Sequence, residues 1–507
     1  MRLSRRTGLR AALLLATGLR PAGAAEPDPW QVDGRPGALA HETLALLEAA
    51  DSHGLEPADY GTAALRAALD RGDASDLAAA LQRYLHDLHR GRVDPQRIHP
   101  PFRPPPRPPF DAAAALNEAL AGGRLAEAAA ALAPPLPQYE RLRAALAQHR
   151  AMDGAAWRQP LPPWPAGQRS LDPGAAWPGL GALAERLRVL GDLAPDAPVP
   201  AAYDGALVDA VRRFQQRHGL ADDGRLGRAT LAALDVPPAA RVQQIALAME
   251  RLRWTPLLQG PRMVVVNIPE FMLRAYTVED GRITVRETMR VIVGAAFDHG
   301  TPLLAEDMRS IEFSPYWNVP PSIARQELVP RLRRDPAHWV KEGFEFVGPG
   351  GEVQTTLSAA RLQAVLAGSW RIRQRPGPRN ALGDIKFVFP NAEAIYLHHT
   401  PATQLFDRQR RDFSHGCIRV EAPLALARFV LQDQPDWTAA RIQAAMGQGT
   451  AQAVRLQAPL PVLITYGTVL VKGGRPFFFD DLYGHDRQLA AALRRHSAAV
   501  QARSPVR

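Results

Sequence analysis

The chain has 507 residues, enough for roughly two to four domains. Apolar residues make up 46% and charged residues 22%, which excludes wholesale disorder, and no run of about 18 apolar residues offers a membrane span. The formal charge is +10, but five of the 61 basic residues lie in the first 25, which hold no acid; the remainder carries 56 − 51 = +5, too mild for a nucleic-acid footprint.

In chain order, the N-terminus comes first. Arg2, Arg5, Arg6 and Arg10 lead into the apolar stretch Ala11–Ala16, and Ala22-Gly23-Ala24 fits a small-x-small cleavage rule. This predicts a signal peptide over 1–25. Ser4-Arg5-Arg6 hints at a twin-arginine export route. The alternative is a basic leader with no export role. No cysteine lies near the cleavage site, so no lipid anchor is expected there.

Residues 26–180 read as a helical domain with Pro-rich linkers. Ala40–Ala50, Thr62–Leu69, Leu77–Leu88, Ala112–Leu132 and Tyr139–Met152 carry helical sequence patterns, with apolar residues at three- and four-residue spacing in the first three. The proline run 100–109 predicts a rigid extended strap, and the Pro/Trp/Gly stretch 160–179 a linker. Residues 181–240 form a compact helical unit. Leu207, Val211 and Phe214 share a helix face that ends at His218-Gly219, and Asp222-Asp223-Gly224 makes a turn.

From about 255 to 490 the texture is β-rich. Met263–Ile268, Phe271–Tyr276, Ile283–Thr288 and Arg290–Val293 read as strands, with Asp280-Gly281 a hairpin turn. Strands return at Asp384–Phe389 and Ala394–Leu397, and the sheet is expected to finish with 461–466, 467–471 and 476–479. Between them, about 322–383, helical patterns at Arg325–His338 and Ser358–Leu366 predict a helical insertion. Residues 491–507 read as a C-terminal tail.

The one cysteine, Cys417, excludes an internal disulfide. His398, His399 and His415 lie within 20 residues of it. A thiol titrates near ~8.5, so a nucleophilic one needs a base, and imidazole titrates in a suitable range. Gly416 permits close backbone approach, and the amides around Gly416-Cys417 are candidates to face a developing oxyanion. Ser414 is a candidate to orient an imidazole. If 395–399 is extended, Tyr396 and His398 share a face and Leu397 and His399 take the other. Three other readings were weighed. A zinc site of His398, His399 and His415 matches no HxxH or HExxH spacing. A structural buried cysteine leaves the histidines incidental. A Ser-x-x-Lys acyltransferase is closed, since none of Lys341, Lys386 and Lys472 follows a serine by three.

Two resemblances follow from these residues. Ala210–Gln216, Gly219-Leu220, Asp223-Gly224, Gly227, Thr230-Leu231 and Leu234 resemble the small three-helix peptidoglycan-binding module. His398-x-Thr400 with Ser414-His415-Gly416-Cys417-x-Arg419 resembles the signature of the L,D-transpeptidase family. Glu250–Trp254, Ser314–Ile323, Arg373–Gly383, Lys386–Pro390 and Asp481–Asp486 extend the similarity to the large Gram-negative subgroup. The implied fold is multidomain α+β: a helical scaffold, the three-helix module and a β-rich catalytic domain with a helical capping insertion.

The resemblance implies Cys417 as nucleophile and His398 as its base. His415, Gly416 and Cys417 would shape the oxyanion region, Arg419 the substrate pocket, and Tyr396 and Trp317 the cleft. His399 stands where relatives often have a small or acidic residue. The implied protein is periplasmic and joins peptidoglycan stem peptides by 3→3 cross-links through a thioester, with no metal or organic cofactor. Its partners would be the wall and cell-wall synthases, and carbapenems its inhibitors. L,D-carboxypeptidase action, lipoprotein attachment to the wall, and a non-catalytic wall-binding scaffold are the alternatives.

Overall fold

Amphipathic spacing builds the N-terminal helices Ala38–Glu48, Thr62–Asp70, Leu77–Arg90, Ala112–Gly122, Leu125–Leu132 and Pro137–Arg150. A computed structural model describes residues 28–164, 168–296 and 299–503; the predicted signal peptide lies outside them. The stretch 112–132, read as one helical segment, is two helices. Asp111 caps the first by accepting from Ala113 N and Ala114 N, and Gly123, at φ +62°, ends it. The proline run has no regular structure, as expected. Phe102 within it buries in the core of the β-rich domain and meets Trp254 edge-on at 5.7 Å.

The second unit holds the helices Leu180–Val189, Gly205–Arg217 and Arg228–Leu234. Gln215 stitches its turn, accepting from Gly224 N (2.9 Å) and donating to Arg225 O (2.8 Å). The stretch expected as a linker belongs to this unit. Leu161, Leu171 and Trp177 bury in its core, and Ser170–Leu171 pairs with Leu226–Gly227. Proline and tryptophan excluded a helix there, but not burial.

The helix Pro238–Trp254 joins the domains. Its Ile245, Ala248 and Met249 enter the scaffold core, while Trp254 enters the β-rich core. Glu250, fully buried, accepts from Arg92 N at 2.6 Å and pairs with Arg253 at 2.8 Å, so its charge is compensated.

Nine strands form the main sheet: β1 (Arg262–Asn267), β2 (Met272–Glu279), β3 (Arg282–Gly294), β4 (Leu304–Phe313), β5 (Ile385–Val388), β6 (Leu397–His398), β7 (Asp412–Ser414), β8 (Ile418–Val420) and β9 (Gln452–Thr465). Their order is β7-β3-β8-β6-β5-β4-β9-β1-β2, and β3 also pairs with β2, so the sheet curls back on itself. The two runs read as separate strands at 283–288 and 290–293 are the single strand β3. Met263, Val264, Val266, Ile311, Phe387, Leu397, Ile418 and Val420 fill the core behind it.

The insertion holds the expected helical turns, Pro321–Ile323, Ala324–Leu328, Val329–Arg334, Ala337–Glu342 and Ala359–Leu366. It also holds a four-stranded sheet: Val353–Gln354, Phe344–Val347, Arg371–Gln374 and Trp317–Asn318. Its core, around Leu332, Trp339, Phe346 and Ile372, is its own.

Of the runs expected to finish the main sheet, 461–466 does so at the end of β9, while the two after it depart. Val469–Lys472 and Arg475–Phe478 form a separate hairpin whose Val469, Val471 and Phe478 bury in the scaffold core. Phe478 lies 5.5 Å from both His149 and His218. From the second unit, Arg217 donates to Pro476 O (3.1 Å) and pairs with the buried Asp192, which Arg475 also reaches at 3.2 Å. Three domains thus meet on one hairpin. The stretch read as a tail is, through Arg503, the helix His485–Arg503; Ser497 and Gln501 donate from it to Asp59 of the scaffold at 2.8 and 3.3 Å. Among the described residues no helix is long and apolar enough to cross a membrane.

Candidate active site

The site is set by register. β6 and β8 are parallel, with Leu397 opposite Ile418 and His398 opposite Arg419. Ile418 N donates to Tyr396 O at 3.0 Å, which continues the pairing one step back. Side chains alternate along a strand, so Tyr396 and His398 share a face with Cys417 and Arg419, while Leu397 and Ile418 point into the core. The same face continues through Lys386, opposite His398, to Glu312, opposite Lys386. This is the arrangement expected from the alternation of residues 395–399. The rings of Tyr396 and His398 stand 5.6 Å apart, edge to face.

Cys417 is half-buried. Its thiol donates to Ala394 O at 3.7 Å, and Tyr396 adjoins the sulfur. Burial pushes the thiol up, against the opposing pull of Tyr396, Lys386 and Arg419. At rest the group is therefore a protonated thiol, which would need a base to act as a nucleophile. His398 is 4% exposed, and burial together with the neighbouring Arg419 lowers its pKa to about 3. It is a neutral imidazole at ordinary pH. Its Nδ1 donates to His399 O at 2.5 Å, which fixes the tautomer and leaves Nε2 with the lone pair. Among the described residues no hydrogen bond joins His398 to Cys417; the two stand diagonally on the face, with Tyr396 the direct neighbour of the sulfur.

The loop before Cys417 is built for backbone placement. Gly416 has φ +112°, and a Cβ there would meet Ile395 Cδ1 at 3.2 Å. Ser414 does not orient an imidazole. Its hydroxyl donates to Cys417 O at 2.5 Å and accepts from Gly416 N at 3.2 Å, so the Gly416 amide is engaged within the turn. Thr301 was not singled out by its sequence. Its hydroxyl donates to Gly416 O (2.7 Å) and accepts from Gly294 N (2.8 Å), anchoring the loop to the end of β3. Nothing in its local sequence marked it.

His415 is bonded to the insertion rather than to the sulfur. Its Nε2 meets Glu327 Oε1 of the insertion at 2.6 Å, and its ring packs 4.8 Å from that of His299. Trp317 is half-buried against the insertion's own core. The three histidines weighed as a zinc set point three ways: His398 to its neighbour's carbonyl, His399 to Asp384 at 2.7 Å, and His415 to Glu327. Arg419 is partly buried beside the thiol, and its Nε has no partner among the described residues.

A curled sheet carrying one thiol, one neutral imidazole and a partly buried guanidinium on a single face has the groups that cysteine acyl transfer would require. Comparison with known proteins agrees. A family model of the L,D-transpeptidase catalytic domain matches residues 261–455, one of a scaffold domain matches 29–146, and one described as "Putative peptidoglycan binding domain" matches 178–234. A relative in Haemophilus influenzae named "Putative L,D-transpeptidase" is 30% identical over 278 residues, 54% of this chain and 55% of that protein. Residues 261–455 are thus similar to the L,D-transpeptidase catalytic domain, in one chain with stretches that match a scaffold domain and a peptidoglycan-binding domain. The matched stretch spans about half the length of the curated relative.

Proposed function

We propose that the protein is a periplasmic, wall-associated L,D-transpeptidase that forms 3→3 cross-links in peptidoglycan. The observation that carries this reading is the shared face of Cys417, His398, Tyr396 and Arg419 within a domain similar to that family's. The sulfur of Cys417 attacks the carbonyl between diaminopimelate at position three and D-alanine at position four of a stem. His398 Nε2 takes the thiol proton. The Cys417 amide is the donor we assign to the oxyanion, because that of Gly416 is spent on Ser414. D-alanine leaves with the proton on its amine, and a thioester remains. The side-chain amine of a second stem then attacks, forming the amide and returning the thiol. Arg419, a cation with spare donor capacity beside the sulfur, is suited to a stem carboxylate. The peptidoglycan-binding domain holds the chain at its polymer.

The test is incubation of the full chain with disaccharide-tetrapeptide, read by mass spectrometry. A dimer lacking one D-alanine is expected, and Cys417→Ala should abolish it. Tripeptide with no dimer would instead indicate a carboxypeptidase, with water as acceptor. A Cys417→Ala chain that kept its effect in cells would indicate a wall-binding scaffold.

A further inference from the structure

His399 has a side chain that the reaction above does not use. It lies on the opposite side of β6 from the thiol, yet its main-chain carbonyl is the acceptor of His398 Nδ1 at 2.5 Å; the Leu382 backbone also hydrogen-bonds the ring. The direction of that carbonyl is fixed by whatever holds residue 399. Its N–H donates to Ile385 O at 3.0 Å, but β6 ends at His398, so no further strand pairing secures the chain beyond it. A side-chain anchor takes over. His399 Nδ1 stands 2.7 Å from Asp384 Oδ1, and the Asp384 carbonyl is itself held by Ser314 N at 2.7 Å.

The surroundings are shaped for this pair. Gly383 sits at φ +64°, and a Cβ there would lie 2.8 Å from both Cβ and Nδ1 of His399, so any larger residue would evict the ring. On the open side a cavity of about 310 Å³ is lined by Asp384, His399, Pro401 and Met446, and nothing there competes for the imidazole.

We infer that Asp384 and His399 are positioning residues for the thiol's base: Asp384 holds the His399 ring, and that hold aims the His399 carbonyl, and through it His398, at Cys417. The inference rests on the proposed role of His398. Without the anchor, the 399–401 segment swivels, the Nδ1 bond loosens, and Nε2 spends less time facing the sulfur. Asp384 and His399 touch neither substrate nor sulfur, so their loss should slow proton removal while leaving substrate affinity unchanged.

The test reads the thiol itself and needs no peptidoglycan. Cys417 of the full chain is alkylated with iodoacetamide from about pH 6 to 9, the sulfur displacing iodide as its proton passes to the base. His398→Ala sets the scale. Asp384→Ala and His399→Ala should each slow alkylation about fivefold or more near neutral pH and steepen its rise with pH as His398→Ala does, because the remaining reaction runs through free thiolate. Asp384→Asn, whose amide oxygen still accepts, and His399→Asn, whose amide still donates, should restore most of the rate. These two variants also keep the test decisive where an alanine variant fails to fold. Alanine variants that fold and react like the parent, beside a slowed His398→Ala, would overturn the inference and leave the base in place. A His398→Ala chain that reacts like the parent would overturn both. Alanine variants slowed without rescue by either asparagine would overturn the anchor as well, since the hydrogen bond would then not be what matters.

Discussion

At the scale of single residues, the loop before Cys417 depends on contacts that leave no room for substitution. Gly416 combines a positive φ with a tight approach to Ile395. Gly416→Ala should therefore cost about 1–3 kcal/mol in local strain and reduce turnover at least as steeply, visible as a lower melting temperature and a slowed alkylation of Cys417. That the candidate site residues lie together was legible because they crowd into two short segments, 395–401 and 413–420, whose alternation can be read directly. The residues that hold them were not. Thr301, Asp384 and Glu327 meet the site from 116, 33 and 90 positions before Cys417 (417 − 301, 417 − 384 and 417 − 327), and only folding brings them there. Ser414 was legible as a site residue but not in its role. A hydroxyl three residues before a cysteine gives no sign that it will bond that cysteine's own carbonyl.

At the scale of elements, the insertion is tied to the nucleophile loop through His415 and Glu327. Both side chains keep more than a third of their exposure, so the pair contributes little to global stability. Glu327→Ala should leave the melting temperature almost unchanged while amide exchange across 321–334 quickens, as read by hydrogen–deuterium exchange. The hairpin Val469–Phe478 behaves differently. Asp192 is buried, and removal of Arg217 strips away its closest partner. Arg217→Ala should cost about 3–5 kcal/mol, moderated by the remaining contact with Arg475, and should expose the junction with the second unit to proteolysis. The sequence showed the β-branched pattern of this hairpin and placed it in the wrong sheet. Alternation marks a strand but not its partner, and here the apolar face belongs to another domain's core.

At the scale of the whole molecule, buried histidines set a limit in acid. His53, His99 and His398 are all held at about 3, by burial first and by neighbouring cationic groups next. In the unfolded chain they take up protons near the ordinary value of about 6.5, and in the folded chain they do not. The unfolded state thus binds more protons, and stability is lost as pH falls from about 6.5 towards 3. Each contributes a slope of about 1.4 kcal/mol per pH unit over that window. Denaturant titrations at pH 7.5 and 5 should show a lower midpoint at pH 5 with an unchanged slope, and replacing His99 with an apolar residue should narrow the difference. The overall domain order was legible because each domain has its own composition. The packing of 160–179, the strap at Phe102 and the helix His485–Arg503 were not, because they are contacts between domains and carry no local period.

The shared hairpin also has a temporal meaning. A ribosome delivers the scaffold first, yet Val469, Val471 and Phe478 complete that scaffold's interior, and Ser497 and Gln501 cover its Asp59. The scaffold, made before this hairpin, is therefore closed only after it. Until the hairpin arrives, the scaffold lacks three of the apolar side chains that fill its interior.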